Sequence, residues 1–278
     1  MRPWWGRIVL NREAAAGGGV APSGAAAGEA AERLQRAMLG VIGAFTREDG
    51  ALDYRALRAS PRWTAAAAQA GALAAIRPEA LEPRAERLAF WINVYNAMVF
   101  HAVVDLEVKA SVREVRGFFR RVAYRVGAHV LTADDVEHGI LRDNARHGWR
   151  RRRPFGPGDP RRALAVRPVD PRIHFAITCG AQSCPPIGVY RASAIDAQLD
   201  LAARNFLNQE VAVDGSGRVT CSRILDWYAE DFEAAGGLGP LLARHLDAGP
   251  VRAAVERRAR PCDVFRAYDW ALQHRPAE

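Results

Sequence analysis

Apolar positions along the chain first recur with helical spacing. Between Glu29 and Arg47, residues Leu34, Met38, Val41, Ile42 and Phe45 form one stripe, the signature of an amphipathic helix. Asp49-Gly50 marks a turn. Two further helical stretches follow near residues 55–75 and 78–104, with Pro61 interrupting the first and Pro78 separating the two. The segment Glu86–Met98 is apolar nearly all round, which predicts a buried helix. Residues 118–126 alternate like a strand, Gly127-Ala128 turns, and His129–Leu131 returns. Thr132 is a plausible N-cap for a helix reaching about Arg146, with Asp134 and Asp135 in its first turn. Helical spacing resumes over residues 192–208, where Ile195, Leu199, Leu201 and Phe206 are apolar. A hairpin follows around Asp214-Gly215-Ser216-Gly217. Ser222 caps a helix over 223–235, two more helices flank Gly249-Pro250, and Asp263–Tyr268 reads as a last strand. The order predicts an α+β fold: a helix-rich single domain over residues 28–278 with a small, mostly antiparallel sheet. Residues 1–27 are Ala/Gly-rich and read as disordered.

The stretch from Asp170 to Pro186 gathers a histidine, two cysteines and a serine between proline signals. Ile173–Thr178 is β-branched and aromatic, so a short strand is predicted. Gly180 ends it and Pro185-Pro186 stop its continuation. Cys184 is then a thiol in a loop just beyond a strand, and strand parity sends His174 and Cys179 to opposite faces.

Composition narrows the function classes. The chain has 278 residues and a formal net charge of +8. Lys109 is its only lysine, so the basic balance reflects an arginine-for-lysine bias more than a nucleic-acid surface, and the run Arg150–Arg153 lacks interleaved aromatics. No stretch of 18 uninterrupted apolar residues predicts a membrane span. No export signal is visible, so a cytoplasmic location is the default, and export is expected if the true start lies upstream. Four cysteines are too sparse for a disulfide-dense scaffold. Cys221 and Cys262 read as ordinary buried thiols. No dinucleotide or phosphate-loop motif indicates a cofactor.

Five blocks carry a resemblance: Leu88–Ala97, Asp135–Arg142, His174–Pro186, Leu225–Phe232 and Tyr268–Leu272. Over roughly Asp49–Gln273 the chain resembles the Domain of Unknown Function 547 family. That resemblance implies an α+β domain similar to papain-like or transglutaminase-like cysteine enzymes, in a family often exported or lipid-anchored. Gln273 stands where the family pattern has Asn.

Four readings fit these residues. A cysteine-dependent hydrolase or acyl transferase would use Cys184 as nucleophile, His174 as base and Asn93 or Asn96 to orient it, with backbone N–H groups around Ser183 and Cys184 as oxyanion donors. A binding domain would use Asn96, Glu137, His138, Arg142 and Ser183 to hold a peptide or small thiol compound, with Asn93 where a cysteine enzyme keeps its nucleophile. Asn93 and Asn96 share a helix face and could equally pin neighbouring loops, and the Asp134/His138/Arg142 stripe could be solvated. A Cys179–Cys184 disulfide would abolish the nucleophile. A metal site from His174, Cys179 and Cys184 is the least favoured arrangement, because the strand parity opposes convergence.

Overall fold

The computed structural model describes residues 6–12, 24–146 and 153–274. Its centre is the helix that the all-round apolar pattern predicts. The elements leading to it are a short strand β1 (Ile8–Val9) and helices α1 (Gly24–Phe45), α2 (Tyr54–Ala59) and α3 (Pro61–Ala68). Helix α4 (Arg84–Asp105) is buried without interruption from Leu88 to Val104. It is long and apolar enough to cross a membrane by length and composition, yet 94% of its most apolar stretch lies inside the fold. Helix α1 packs along it, inserting Leu34, Met38 and Ile42. Each large side chain buried this way contributes about 1.5–3 kcal/mol.

A four-residue helix, α5 (Phe118–Arg121), precedes strands β2 (Val122–Val126) and β3 (His129–Thr132). Strand β2 pairs antiparallel with β3 and parallel with β1. The expectation of a disordered 1–27 is therefore corrected where the chain is described. Ile8–Val9 joins the sheet, Asn11 donates to the carbonyls of Ala70 and Arg125, and α1 begins at Gly24. The remainder of 1–27 lies outside the described residues.

The C-terminal half is built from helix α6 (Ile195–Glu210), strands β4 (Ala212–Val213) and β5 (Val219–Cys221), helices α7 (Arg223–Trp227), α8 (Ala229–Ala234), α9 (Leu238–His245) and α10 (Pro250–Glu256), and strand β6 (Val264–Phe265). The order β4-β5-β6 has one antiparallel and one parallel pairing. Among the described residues the fold is α+β with two small mixed sheets, where one mostly antiparallel sheet was expected. Of the apolar positions noted in α6, Ile195, Leu199 and Phe206 are buried and Leu201 is 58% exposed. Two apolar cores result. The larger is organised on α4; the smaller joins Phe206, Leu225, Phe232 and Leu242.

Cys221 and Cys262 are joined in a disulfide that spans 41 residues of chain. This corrects the expectation of two ordinary thiols. The register of β5 against β6 brings the neighbourhood of Cys262 beside Cys221, a pairing between segments too distant in sequence for local patterning to reveal.

Candidate functional site

The predicted strand over 173–178 is instead a 3₁₀ helix, Pro171–Phe175. Asp170 caps it by accepting from the Arg172 N–H, and Pro171 occupies the first helical position, where its missing N–H is no loss. This local start signal outweighs the β propensity of Ile173, Phe175 and Ile177. The parity argument falls with the strand. Cys179 and Cys184 lie side by side, Sγ to Sγ 2.8 Å, as free cysteines.

Helix α4 sets this loop. The Asn96 side chain donates to the Ala176 carbonyl and accepts from the Thr178 N–H. Asn93 makes the same two-way clamp with the backbone of Tyr190. Both amides are fully buried and committed to backbone, so the group beside His174 is Asp231 rather than either asparagine. Between the clamps, Gly180 takes a left-handed φ of 81°, and the Thr178 hydroxyl accepts from its N–H. The C-terminal segment closes the loop from outside. Ala181 and Leu272 form an antiparallel bridge, Gln273 donates to the Cys184 and Pro185 carbonyls, and the Ser183 hydroxyl accepts from the Asp269 N–H.

That closure delivers Tyr268 to the sulfurs. Its hydroxyl is 3.0 Å from Cys184 Sγ and 3.1 Å from Cys179 Sγ. The Cys179 N–H donates to Cys184 Sγ at 3.0 Å. Burial opposes a thiolate at Cys184, but hydrogen bonds from Cys179, Tyr268 and Thr178 outweigh it and bring the thiol down to about 6. Its hydrogen bond to Cys184, together with burial, holds the Cys179 thiol well above the ordinary value. Burial also keeps the Tyr268 phenol protonated, hence a donor.

The thiols open into a cleft of about 370 Å³. Its opposite wall comes from the segment following β3. Thr132 and Asp135 cap one another, each side chain accepting from the other's backbone N–H. The helix they start is a π-helix over Asp135–Leu141, a geometry frequent at functional sites. It buries Glu137 and His138, with Arg142 following at its end. These three expected binding residues are therefore brought together, and not on a solvated stripe. Glu137 accepts from the hydroxyls of Tyr95 at 2.8 Å and Tyr228 at 2.6 Å. Burial alone would raise its carboxyl; the His138 ring, those two hydroxyls and Arg142 reverse this and hold it at about 2.

Arg142 grips Asp231 of α8 in a bidentate pair, Nε–Oδ2 2.5 Å and Nη2–Oδ1 3.0 Å. Its Nη1 donates to His138 Nδ1, so that ring carries its neutral-form proton on Nε2. Asp231 also accepts from His174 Nε2 at 2.7 Å. Against the cost of burial, His174 and Arg142 hold the Asp231 carboxyl down at about 2. Burial lowers His174 below its ordinary value. In its neutral form the ring donates from Nε2, leaving a lone pair on Nδ1, which has no hydrogen-bond partner. The ring stacks on Tyr228, centroids 3.7 Å apart. His174 lines the same cleft as the cysteines, but neither sulfur hydrogen-bonds to it. Trp227, Tyr268 and Trp270 form an aromatic rim, with Trp227 44% exposed.

Asp231, Tyr228 and Tyr268 carry the site, yet single residues in the chain order gave no reason to choose them. Their signal was membership in the blocks Leu225–Phe232 and Tyr268–Leu272. Among the described residues, no group of three or more His, Cys, Asp or Glu side chains could hold a metal ion. Residues 78–207, just under half of the chain, match the family model described as "Protein of unknown function, DUF547", so over this segment the chain is similar to that family. The match spans α4, the Glu137/His138/Arg142 wall and the cysteine loop, while Asp231 and Tyr268 lie beyond it. No curated protein and no solved structure matches the chain.

Proposed function

We propose that the cleft binds a peptide or a small thiol compound and presents Cys184 to it as a thiolate. The observation that carries this reading is the convergence of donors on Cys184 Sγ. The Cys179 N–H, the Cys179 thiol and the Tyr268 hydroxyl all lie within 3.0 Å of it. A thiolate is the nucleophilic form of cysteine, and hydrogen bonds to it favour that form. The volume is in the range of small-molecule pockets, which combine apolar walls with a few placed polar groups. The aromatic rim suits an apolar or amide-bearing ligand; Arg142, His138 and Glu137 would fix its polar end.

A second reading, acyl transfer, draws on one observation. Asp231 orients His174 so that the Nδ1 lone pair is free, as a general base requires. With no sulfur hydrogen-bonded to this ring, the proton it accepts would come from the bound ligand, which requires ligand binding to open access to an Nδ1 that is buried in the free protein. The Cys221–Cys262 disulfide favours an oxidising compartment over the cytoplasmic default, so export is part of the proposal.

The test is the pH dependence of iodoacetamide labelling at Cys179 and Cys184, followed by peptide mass spectrometry. Cys184 is expected to label with a midpoint of about 6. Tyr268→Phe removes one donor and moves that midpoint upward. His174→Gln leaves it in place under the binding reading. A wild-type Cys184 midpoint near the ordinary thiol value of about 8.5 would overturn the proposal.

A further inference from the structure

The two sulfurs have a relationship that a single nucleophile does not need. Cys179 Sγ is 2.8 Å from Cys184 Sγ, less than an ångström beyond a disulfide bond of about 2.05 Å. The Cys184 N–H donates to the Ala181 carbonyl, turning the chain between them back on itself. The flanking clamps from Asn96 and Gln273 fix both ends of that turn. Cys179 is partly exposed and Cys184 is buried, yet both reach the cleft. A ligand sulfur entering the cleft would therefore meet Cys184 with a second thiol already beside it.

We propose that Cys179 and Cys184 form a dithiol that reduces a low-molecular-weight disulfide bound in the aromatic cleft, Cys184 attacking and Cys179 resolving. The inference rests on the thiolate reading of Cys184. In the first step Cys184 Sγ attacks one sulfur of R–S–S–R′. The ligand S–S bond breaks, a Cys184–S–S–R bond forms, and R′S⁻ leaves and takes a proton from solvent. In the second step Cys179 Sγ attacks Cys184 Sγ. The mixed disulfide breaks, the Cys179–Cys184 disulfide forms, and RS⁻ leaves with the proton that Cys179 gives up. The ligand disulfide gains two electrons and becomes two thiols, while the protein dithiol is oxidised. Tyr268 touches both sulfurs, and its protonated phenol stabilises whichever one carries negative charge.

The roles follow from the hydrogen bonds. Cys184 Sγ accepts the backbone N–H of Cys179, a donor that stays in place throughout. The Ala181 backbone N–H favours the anion at either sulfur, so the donor that distinguishes Cys184 is the Cys179 N–H, while Cys179 Sγ otherwise meets the other thiol and the phenol. The better-stabilised anion attacks and the other thiol resolves. The disulfide joins Cys221, buried in the second core, to Cys262, partly buried against it, and neither cysteine lines the cleft.

The test uses the full chain, reduced mildly so that Cys221–Cys262 stays intact, then mixed with 2-hydroxyethyl disulfide and mapped by mass spectrometry. Wild type is expected to lose two hydrogens in the peptide holding Cys179 and Cys184, with no persistent adduct. C179S is expected to stall with a mercaptoethanol adduct on Cys184, and C184S to show a large loss of adduct formation. Circular dichroism of each variant confirms folding. If Cys184 labels at low pH but wild type forms no internal disulfide, the dithiol role is refuted and the thiolate reading stands. If Cys184 labels only as an ordinary thiol, the thiolate reading fails and this inference fails with it. An adduct retained in C184S and lost in C179S would overturn the assignment of roles.

Discussion

Removing Asp231 tests whether the polar wall of the cleft is one electrostatic unit. Its carboxylate is buried, holds Arg142 through two hydrogen bonds and accepts a third from His174. Asp231→Ala leaves a guanidinium buried without its counter-charge, a change that costs about 3–5 kcal/mol. Arg142→Met alone leaves the carboxylate with only His174. The double variant Asp231→Ala/Arg142→Met removes both charges together, and its loss of stability is expected to fall short of the sum of the two single losses by about 2–3 kcal/mol. The same carboxylate links stability to pH. Folding holds it at about 2, against about 3.9 in an unfolded chain. The unfolded chain therefore takes up the proton first, and the contribution of roughly 2–3 kcal/mol is present above about pH 4 and is lost as pH falls through about 2. Glu137, also held at about 2, adds to the same acid limb. Urea unfolding followed by tryptophan fluorescence at pH 7 and pH 3.5 reads both quantities. Strictly additive variants, or an Asp231→Ala protein as stable as wild type at pH 7, would refute the coupled pair.

Three other perturbations bear on the frame of the site. Asn96→Ala strands the Ala176 carbonyl and the Thr178 N–H in the core; a loss of about 2–4 kcal/mol is expected, and an unchanged urea midpoint would contradict the clamp. Replacing Cys221 and Cys262 by serine opens a loop of 41 residues, worth about 4 kcal/mol in the chain-entropy relation, and a calorimetric Tm within a degree or so of wild type would count against it. Gly139→Ala puts a Cβ 2.4 Å from the Phe155 ring, so a loss of about 1–3 kcal/mol from overpacking is expected. Combining it with Phe155→Leu should recover part of that loss in thermal unfolding.

Helix α4 was legible because its requirement is simple: burial on every side demands apolar residues on every side. The two asparagines within that pattern were legible as a question, since a buried amide must be satisfied. Their partners at Tyr190, Ala176 and Thr178, some 80 to 97 residues away, were not. The misreading around His174 was local. Asp170-Pro171 is a helix-start signal, and it competes directly with β-branched residues that favour a strand. The capped 3₁₀ turn that results sends Ile173, Ala176 and Ile177 into the larger core and Phe175 into the smaller. The π-helix was hidden for another reason. Asp134, His138 and Arg142 recur every four residues in an ordinary helical count, and no residue type marks the wider turn. Tyr268 reached the cysteines only through pairing of the C-terminal segment with the 180–184 loop.

Those two cores explain why charged groups are buried here. The larger core supplies Tyr95 and the segment bearing Glu137, His138 and Arg142; the smaller supplies Tyr228, at the N-cap of helix α8, and Asp231, in that helix's first turn. Apolar contact between the cores has little directional preference, so it leaves their relative orientation weakly defined. The contacts that cross between them are directional: Arg142 to Asp231, Tyr228 to Glu137, and His174 to Asp231. Each has a partner buried on the other side, so sliding one core against the other would leave several polar groups unpaired at once. The wall of the cleft is thus also the joint of the fold. A ligand that exchanged hydrogen bonds with Arg142 or Glu137 would act on the same contacts that set the position of His174 and Tyr228, and through them the shape of the cavity above the cysteines.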